Sequence, residues 1–141
     1  VSLIRAISEL RDDAERLLLL ALADLDKASV KYWINETRRA RETQICYYLQ
    51  GRSDLALVNQ FRQEFGLWPL TDAENKKTVT LTLRSKHIDG VAVDIVPVKN
   101  GAPWWNAPEE EYLKIATIMK KHGWKWGGDW KGFSDTPHYE I

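Results

Sequence analysis

Two short stretches of the chain hold the side chains best suited to bind a metal. In Ser85 to Asp94, SKHIDGVAVD, a histidine and an aspartate stand seven residues apart with a glycine between them. In Asp135 to Glu140, DTPHYE, a second histidine follows a carboxylate by three residues. His87, Asp94 and His138 together form a candidate mononuclear zinc site. Three neutral or anionic ligands leave the fourth tetrahedral position open, as a catalytic centre requires, whereas a structural site uses four protein ligands. Taken singly, each residue reads more readily as a satisfied core histidine or a surface acid, and it is the joint pattern that points to metal.

The elements around these residues must bring them together. Gly90 allows a turn after His87, so that a new extended run can begin. In VAVDIVPV alternation puts Ala92, Asp94 and Val96 on one face and Val91, Val93 and Ile95 on the other. Pro137 biases Thr136 towards extended backbone, and His138 and Glu140 then share one side of a short terminal strand.

The first stretch fills every fixed position of S-x-H-x-x-G-x-A-x-D with Ser85, His87, Gly90, Ala92 and Asp94. With GWKWGGDW, Gly123 to Trp130, and a D-x-P-H that ends at His138, the chain resembles the zinc D-alanyl-D-alanine carboxypeptidases (VanY-like peptidases). It resembles more closely the L-alanyl-D-glutamate endopeptidases among bacterial and bacteriophage wall-lytic enzymes. Upstream, NETRRARETQICYYLQGR is similar to the family segment T-x-R-S-x-x-x-Q-x-x-x-x-x-x-G, with Arg39 and Gln44 at matching positions and Ala40 in place of the serine. The resemblance runs from Tyr32 to Ile141.

The resemblance implies one zinc per chain and a peptidoglycan stem peptide as substrate, cut between L-alanine and D-glutamate by a phage endolysin. It implies Asp135 as the general base, three residues ahead of a ligand, where a carboxylate can take a proton from water and return it to the leaving amine. The carboxypeptidases usually carry glutamate there, and aspartate resembles the endopeptidase branch; the alternative for Asp135 is a turn-forming side chain in SDTP. Arg39 can offer a planar fork to a carboxylate or a developing oxyanion, with Arg38 and Arg41 as alternatives for that role. Gln44 and Ser85 are supporting candidates, Ser85 either bonding a ligand or shaping the turn. The competing functions are a D-alanyl-D-alanine carboxypeptidase and a non-catalytic, zinc-containing wall-binding module.

The remaining sequence sets limits on these readings. A chain of 141 residues fits a single catalytic domain without a separate wall-binding domain, expected to act as a monomer. Twenty basic and twenty acidic residues cancel, so no global field draws nucleic acid or an anionic membrane. Cys46 is the only cysteine, which excludes an internal disulfide and reads as a small buried hydrophobe. His122, at a helix end among lysines, reads as solvent-facing. The start of the chain lacks the pattern of a secretory signal, and LLLLALADL is too short to span a bilayer, which takes about 20 residues. The expectation is a protein held in the host cytoplasm until a separate membrane-piercing protein releases it to the wall. Of seven tryptophans, Trp104 and Trp105 are candidates for a substrate wall, whereas Trp124 and Trp126 read as core.

The fold expected is α+β, with three or four helices against a small, mostly antiparallel sheet that carries the metal. An amphipathic packing helix is expected within residues 1–28, and a strand over Lys31 to Ile34. Helices are expected up to Gly51, over Leu55 to Phe65, and from Pro108 to Gly123. Thr78 to Leu83, with alternating threonine and aliphatic residues, reads as a further strand, and Trp68 to Lys77 as a loop.

Overall fold

The computed structural model describes residues 3–141; the part of the first expected element on Val1 and Ser2 lies outside the described residues. The helices are α1 (Asp12–Lys27), α2 (Arg41–Leu49), α3 (Leu55–Glu64), the one-turn α4 (Asp72–Asn75) and α5 (Glu109–Lys121). The strands are β1 (Tyr32–Glu36), β2 (Ala92–Lys99), β3 (Ala102–Pro103), β4 (Lys125–Trp126) and β5 (His138–Glu140). They form one five-stranded sheet in the order β1-β2-β5-β4, with β3 paired to β2. All pairs are antiparallel, so the fold is the expected α+β arrangement.

The first helix occupies Asp12–Lys27, inside its expected span. Ahead of it the chain is extended and then makes a 3-10 turn, Ile7–Glu9, because its backbone is tied to other segments. Thr37 donates its amide to Ile4 O (2.7 Å) and its hydroxyl to Ala6 O (2.8 Å), and the Arg11 amide donates to Gly90 O (2.9 Å). Acids Asp12, Asp13 and Glu15 then open α1, in keeping with the helix dipole. Its buried stripe is Ala14, Leu18, Ala21, Leu22 and Leu25, spaced three and four apart.

That stripe meets Tyr112, Ile115, Ala116 and Met119 of α5, as well as Val93 and Ile95 of β2. Trp124, Trp126 and Tyr139 complete this core, so the first two of these read correctly as filling. Asp94 projects from the other face of β2, where the wall of a cleft is built by α2, α3 and the segment leading to His87. Among the described residues no helix is long and apolar enough to cross a membrane.

Three local expectations change. Thr78 to Leu83 is not a strand: both edges of β2 at Asp94 are taken, by β1 and β5, so the alternating segment has no partner. Its threonines bond their own backbone instead, Thr80 Oγ1 accepting from Thr82 N (3.3 Å) and Thr82 Oγ1 from Arg84 N (2.9 Å). Within the expected loop from Trp68 to Lys77, Thr71 and Glu74 form a capping box that closes the single turn of α4. In α3, Asp54 caps as expected by accepting from Leu57 N (2.9 Å). Its buried residues, however, are Val58 and Arg62, and Phe61 and Phe65 stack on each other at 6.2 Å, both only half-buried.

Candidate metal centre

His87 sits in a closed turn. The Ser85 hydroxyl accepts from the His87 amide (3.2 Å), the amide of Ile88 donates to Ser85 O (3.0 Å), and that of Val91 to Lys86 O (3.1 Å). Ser85 therefore shapes the turn. Gly90 closes it at φ +72°, and a Cβ there would lie 2.9 Å from Arg11 N, so both backbone angle and packing require glycine. The Arg39 amide donates to His87 O (3.0 Å), which ties the turn to the segment before α2.

Asp94 and His138 meet through strand register. On one rung of the sheet Glu36 of β1, Asp94 of β2 and His138 of β5 stand side by side, and a bulge in β1 between Ile34 and Glu36 sets Glu36 opposite Asp94. The Asp135 to His138 turn is held by GWKWGGDW. Gly127 O accepts from the Asp135 amide (2.9 Å), and a Cβ on Gly127 would lie 2.3 Å from Asp135 O and 3.1 Å from the His138 Cβ.

The donor atoms converge. His87, Asp94 and His138 each offer one ligand atom, and these lie within 4.8 Å of one another. His87 Nε2 is 3.1 Å from Asp94 Oδ1, and His138 Nδ1 is 3.4 Å from the same oxygen. Both outward nitrogens have acceptors: His87 Nδ1 donates to Thr37 O (2.7 Å) and His138 Nε2 to Glu140 Oε1 (2.8 Å). In the neutral form of each ring those bonds leave the lone pair facing the cluster, the outer arrangement that metal-binding histidines use. The three side chains can hold a metal ion.

The electrostatics are those of a buried ionic cluster. Burial disfavours the charged form of Asp94, but His87, His138 and Arg39 outweigh it and hold the carboxyl well below the usual range. Burial also opposes charge on His138, and Asp94 and Glu140 raise its pKa nonetheless. The Asp135 carboxyl is pushed up, first by burial and then by the negative charge of Asp94.

Of the three candidate arginines, Arg39 enters the site. Its Nε donates to Glu36 Oε1 (3.0 Å), Nη1 donates to Gln44 Oε1 (2.7 Å), and Nη2 also pairs with Glu36 while lying 3.8 Å from Asp94 Oδ2. Gln44 in turn donates to Thr82 O (2.7 Å), so the two matched upstream residues anchor the segment that precedes His87. Arg38 pairs with Glu9 at the surface (3.3 Å), and Arg41 is exposed at the start of α2. Trp105 lines the cleft, and Trp104 packs under Lys99 instead. His122 is bound to Asp24 (2.6 Å), away from the cluster, and Cys46 is buried.

The cleft encloses about 880 Å³ and contains side chains the sequence did not single out. Trp130 lies 5.0 Å from the His138 ring, and Tyr47 lies under the Arg39 guanidinium at 4.8 Å. Glu36 is also new to the site, and its only signal in sequence is its place at the end of the strand that pairs with Asp94. Thr37, the threonine of the upstream match, joins it by accepting from His87 Nδ1.

Comparison with known proteins fits this constellation. Residues 78–141 match the family model described as D-alanyl-D-alanine carboxypeptidase. Among its particular relatives is the L-alanyl-D-glutamate peptidase of Listeria phage A118, 40% identical over 61 residues, which make up 43% of this chain and 22% of that protein. Another is the peptidoglycan L-alanyl-D-glutamate endopeptidase CwlK of Bacillus subtilis (strain 168), 35% identical over 65 residues, 40% of this chain and 39% of that protein. The chain thus spans well under half the length of either relative. Among solved structures, the L-Ala D-Glu endopeptidase ChiX of Serratia marcescens superposes with a TM-score of 0.62 at 23% identity, over 96% of this chain and 82% of that one. The vancomycin resistance D,D-pentapeptidase VanY, solved with Zn(II), gives 0.56 at 15% identity over 94% and 72%. These two likenesses establish the fold.

Proposed function

We propose that the chain is a zinc-dependent peptidoglycan peptidase that hydrolyses the L-alanyl-D-glutamate bond of the stem peptide. The observation that carries this reading is the convergence of His87, Asp94 and His138 in an open cleft that Asp135 also lines. Two imidazole nitrogens, one carboxylate oxygen and no thiolate are a donor set that fits zinc, and three protein ligands suit a catalytic ion. The relatives named for this bond support the choice of substrate.

Bound there, zinc would supply Lewis acidity, polarising the scissile carbonyl and acidifying a water. Asp135 takes the proton of the attacking water and returns it to the leaving amine of D-glutamate, and its raised pKa suits it for both transfers. Arg39, held flat by Glu36 and Gln44, keeps its charge beside Asp94 and sets the electrostatics of the carbonyl end of the site. Trp105 and Trp130 flank the cleft and line the path of the peptide.

In this reading the protein is an endolysin that works as a monomer, waits in the host cytoplasm, and reaches the wall once a separate membrane-piercing protein lets it through. The phage relative supports that assignment. The test is incubation of the protein with purified sacculi, with and without a strong chelator, followed by mass analysis. Release of stems that begin at D-glutamate, abolished by chelator and restored by zinc, is expected. Loss of a single terminal D-alanine would instead make the chain a carboxypeptidase, and intact sacculi would leave a wall-binding module.

A further inference from the structure

Arg62 is the unexplained group in the cleft. Its side chain is 1% exposed, and its Nε is fixed by donating to Trp68 O (2.7 Å). The outer nitrogens Nη1 and Nη2 are buried and have no hydrogen-bond acceptor. An unpaired buried guanidinium is costly, and burial accordingly lowers its pKa. Rings pack beside it, Trp68 at 4.8 Å and Tyr47 at 5.9 Å, but they supply no acceptor for those four N–H bonds. Glu74 is the acid that acts on Arg62, and its carboxylate already accepts from the Thr71 amide (2.9 Å). In Arg39, the other buried arginine of the cleft, each of the three nitrogens by contrast has an acceptor in Glu36 or Gln44.

We infer that Nη1 and Nη2 of Arg62 form a subsite for a carboxylate of the substrate, one residue beyond the carboxylate nearest the cut bond. A carboxylate accepts two parallel N–H bonds from the end of a guanidinium, the pairing these nitrogens lack. The placement follows from Tyr47, whose ring has Arg39 at 4.8 Å and Arg62 at 5.9 Å. Arg39 is 3.8 Å from Asp94, whereas Arg62 is bonded to Trp68 O on the far side of that ring, so Arg62 is the outer of the two arginines. This identity of the ligand rests on the proposed wall peptidase. With the L-alanyl-D-glutamate bond at the cluster, the glutamate α-carboxylate is adjacent to the cut, and the next carboxylate belongs to the stem residue that follows. Diaminopimelate carries one there and lysine does not. Trp68, half exposed, covers the guanidinium and must swing aside to admit it.

The probes are the C-terminal amides of γ-D-glutamyl-diaminopimelate and γ-D-glutamyl-lysine, in which the carboxyl that continues the stem is blocked, so that they differ by that one carboxylate and contain no bond for the enzyme to cut. By calorimetry the wild-type protein should bind the first about tenfold or more tightly than the second, the worth of one charge-assisted pair. Arg62→Gln should bind both alike, and Arg62→Lys should keep part of the preference. Equal binding of the two peptides by the wild type, no binding of either, or an undiminished preference in a folded Arg62→Gln would each overturn the subsite. Should that variant not fold, the Arg62 Nε–H resonance of the wild type decides: it should shift with the diaminopimelyl peptide and not with the lysyl one. The peptidase reading fails separately, through unhydrolysed sacculi alongside an intact binding preference.

Discussion

At the scale of single residues, two aspartates that line one cleft sit in different surroundings, and the proposed reaction gives them different roles on that ground. Asp94 touches both histidines and is held ionised, whereas Asp135 is bonded only through its backbone in the turn and has a raised pKa. Asp135→Asn should therefore leave metal content and fold in place and lower the hydrolysis rate by about 10² to 10⁴ fold, because the amide cannot take a proton. Asp94→Asn should lose metal, with activity partly recovered by added zinc. Elemental analysis beside a rate assay separates them, and the opposite pattern would exchange the roles. Arg39 makes a second prediction. Its fork is committed to Glu36 and Gln44, so Arg39→Lys keeps the charge and drops at least one of those bonds. Since Gln44 also holds Thr82, stability should fall by about 1.5–3 kcal/mol together with kcat/KM, measured by urea unfolding and initial rates. A variant with full stability and normal kinetics would remove Arg39 from the site.

At the scale of elements, the glycine-rich stretch before β5 acts as a bearing for the Asp135 to His138 turn. A methyl group at Gly127 would meet Asp135 O at 2.3 Å, so Gly127→Ala must push that turn away from β4. The expected cost is about 1–3 kcal/mol, with weakened metal binding because His138 moves with the turn. Gly132→Ala is the comparison: nothing lies within 4 Å, so only the strain of its φ of +86° is felt and metal binding should be unchanged. Equal metal affinity in the two variants would contradict this. The turn and the faces of β2 and β5 were legible in sequence because they depend on local rules, glycine at a positive φ and period-two alternation. Glu36 was not, since only the pairing of β1 with β2 and its bulge bring it beside Asp94. Thr78 to Leu83 misled for a related reason: its alternation suits a strand, but the sheet has no free edge beside Asp94 to accept it. Nothing in the sequence singled out Arg62, since its burial arises from the chain folding back over α3 through Trp68.

At the scale of the whole molecule, the three donors come from three segments: the turn at His87, the central strand β2 and the terminal strand β5, the last two paired in the sheet. The turn at His87 is also linked to the start of the chain, since Thr37 accepts from His87 Nδ1 and donates to Ile4 and Ala6. Metal binding should consequently be felt by the whole fold, because an ion that binds only the native arrangement adds its binding free energy to stability. At a free concentration 100 times the dissociation constant that contribution is about 2.7 kcal/mol. For a chain of 141 residues it corresponds to a fall in Tm of about 5–10 °C when a strong chelator strips the metal. His138→Ala should start from the lower Tm and show little further response to chelator, since the site is already broken, while Trp104→Ala, away from the cleft, should keep the full response. Calorimetric scans of the three proteins with and without chelator make the comparison. A wild-type Tm that ignores chelator, or a His138→Ala variant that responds as strongly as the wild type, would mean that these three side chains are not the metal's ligands.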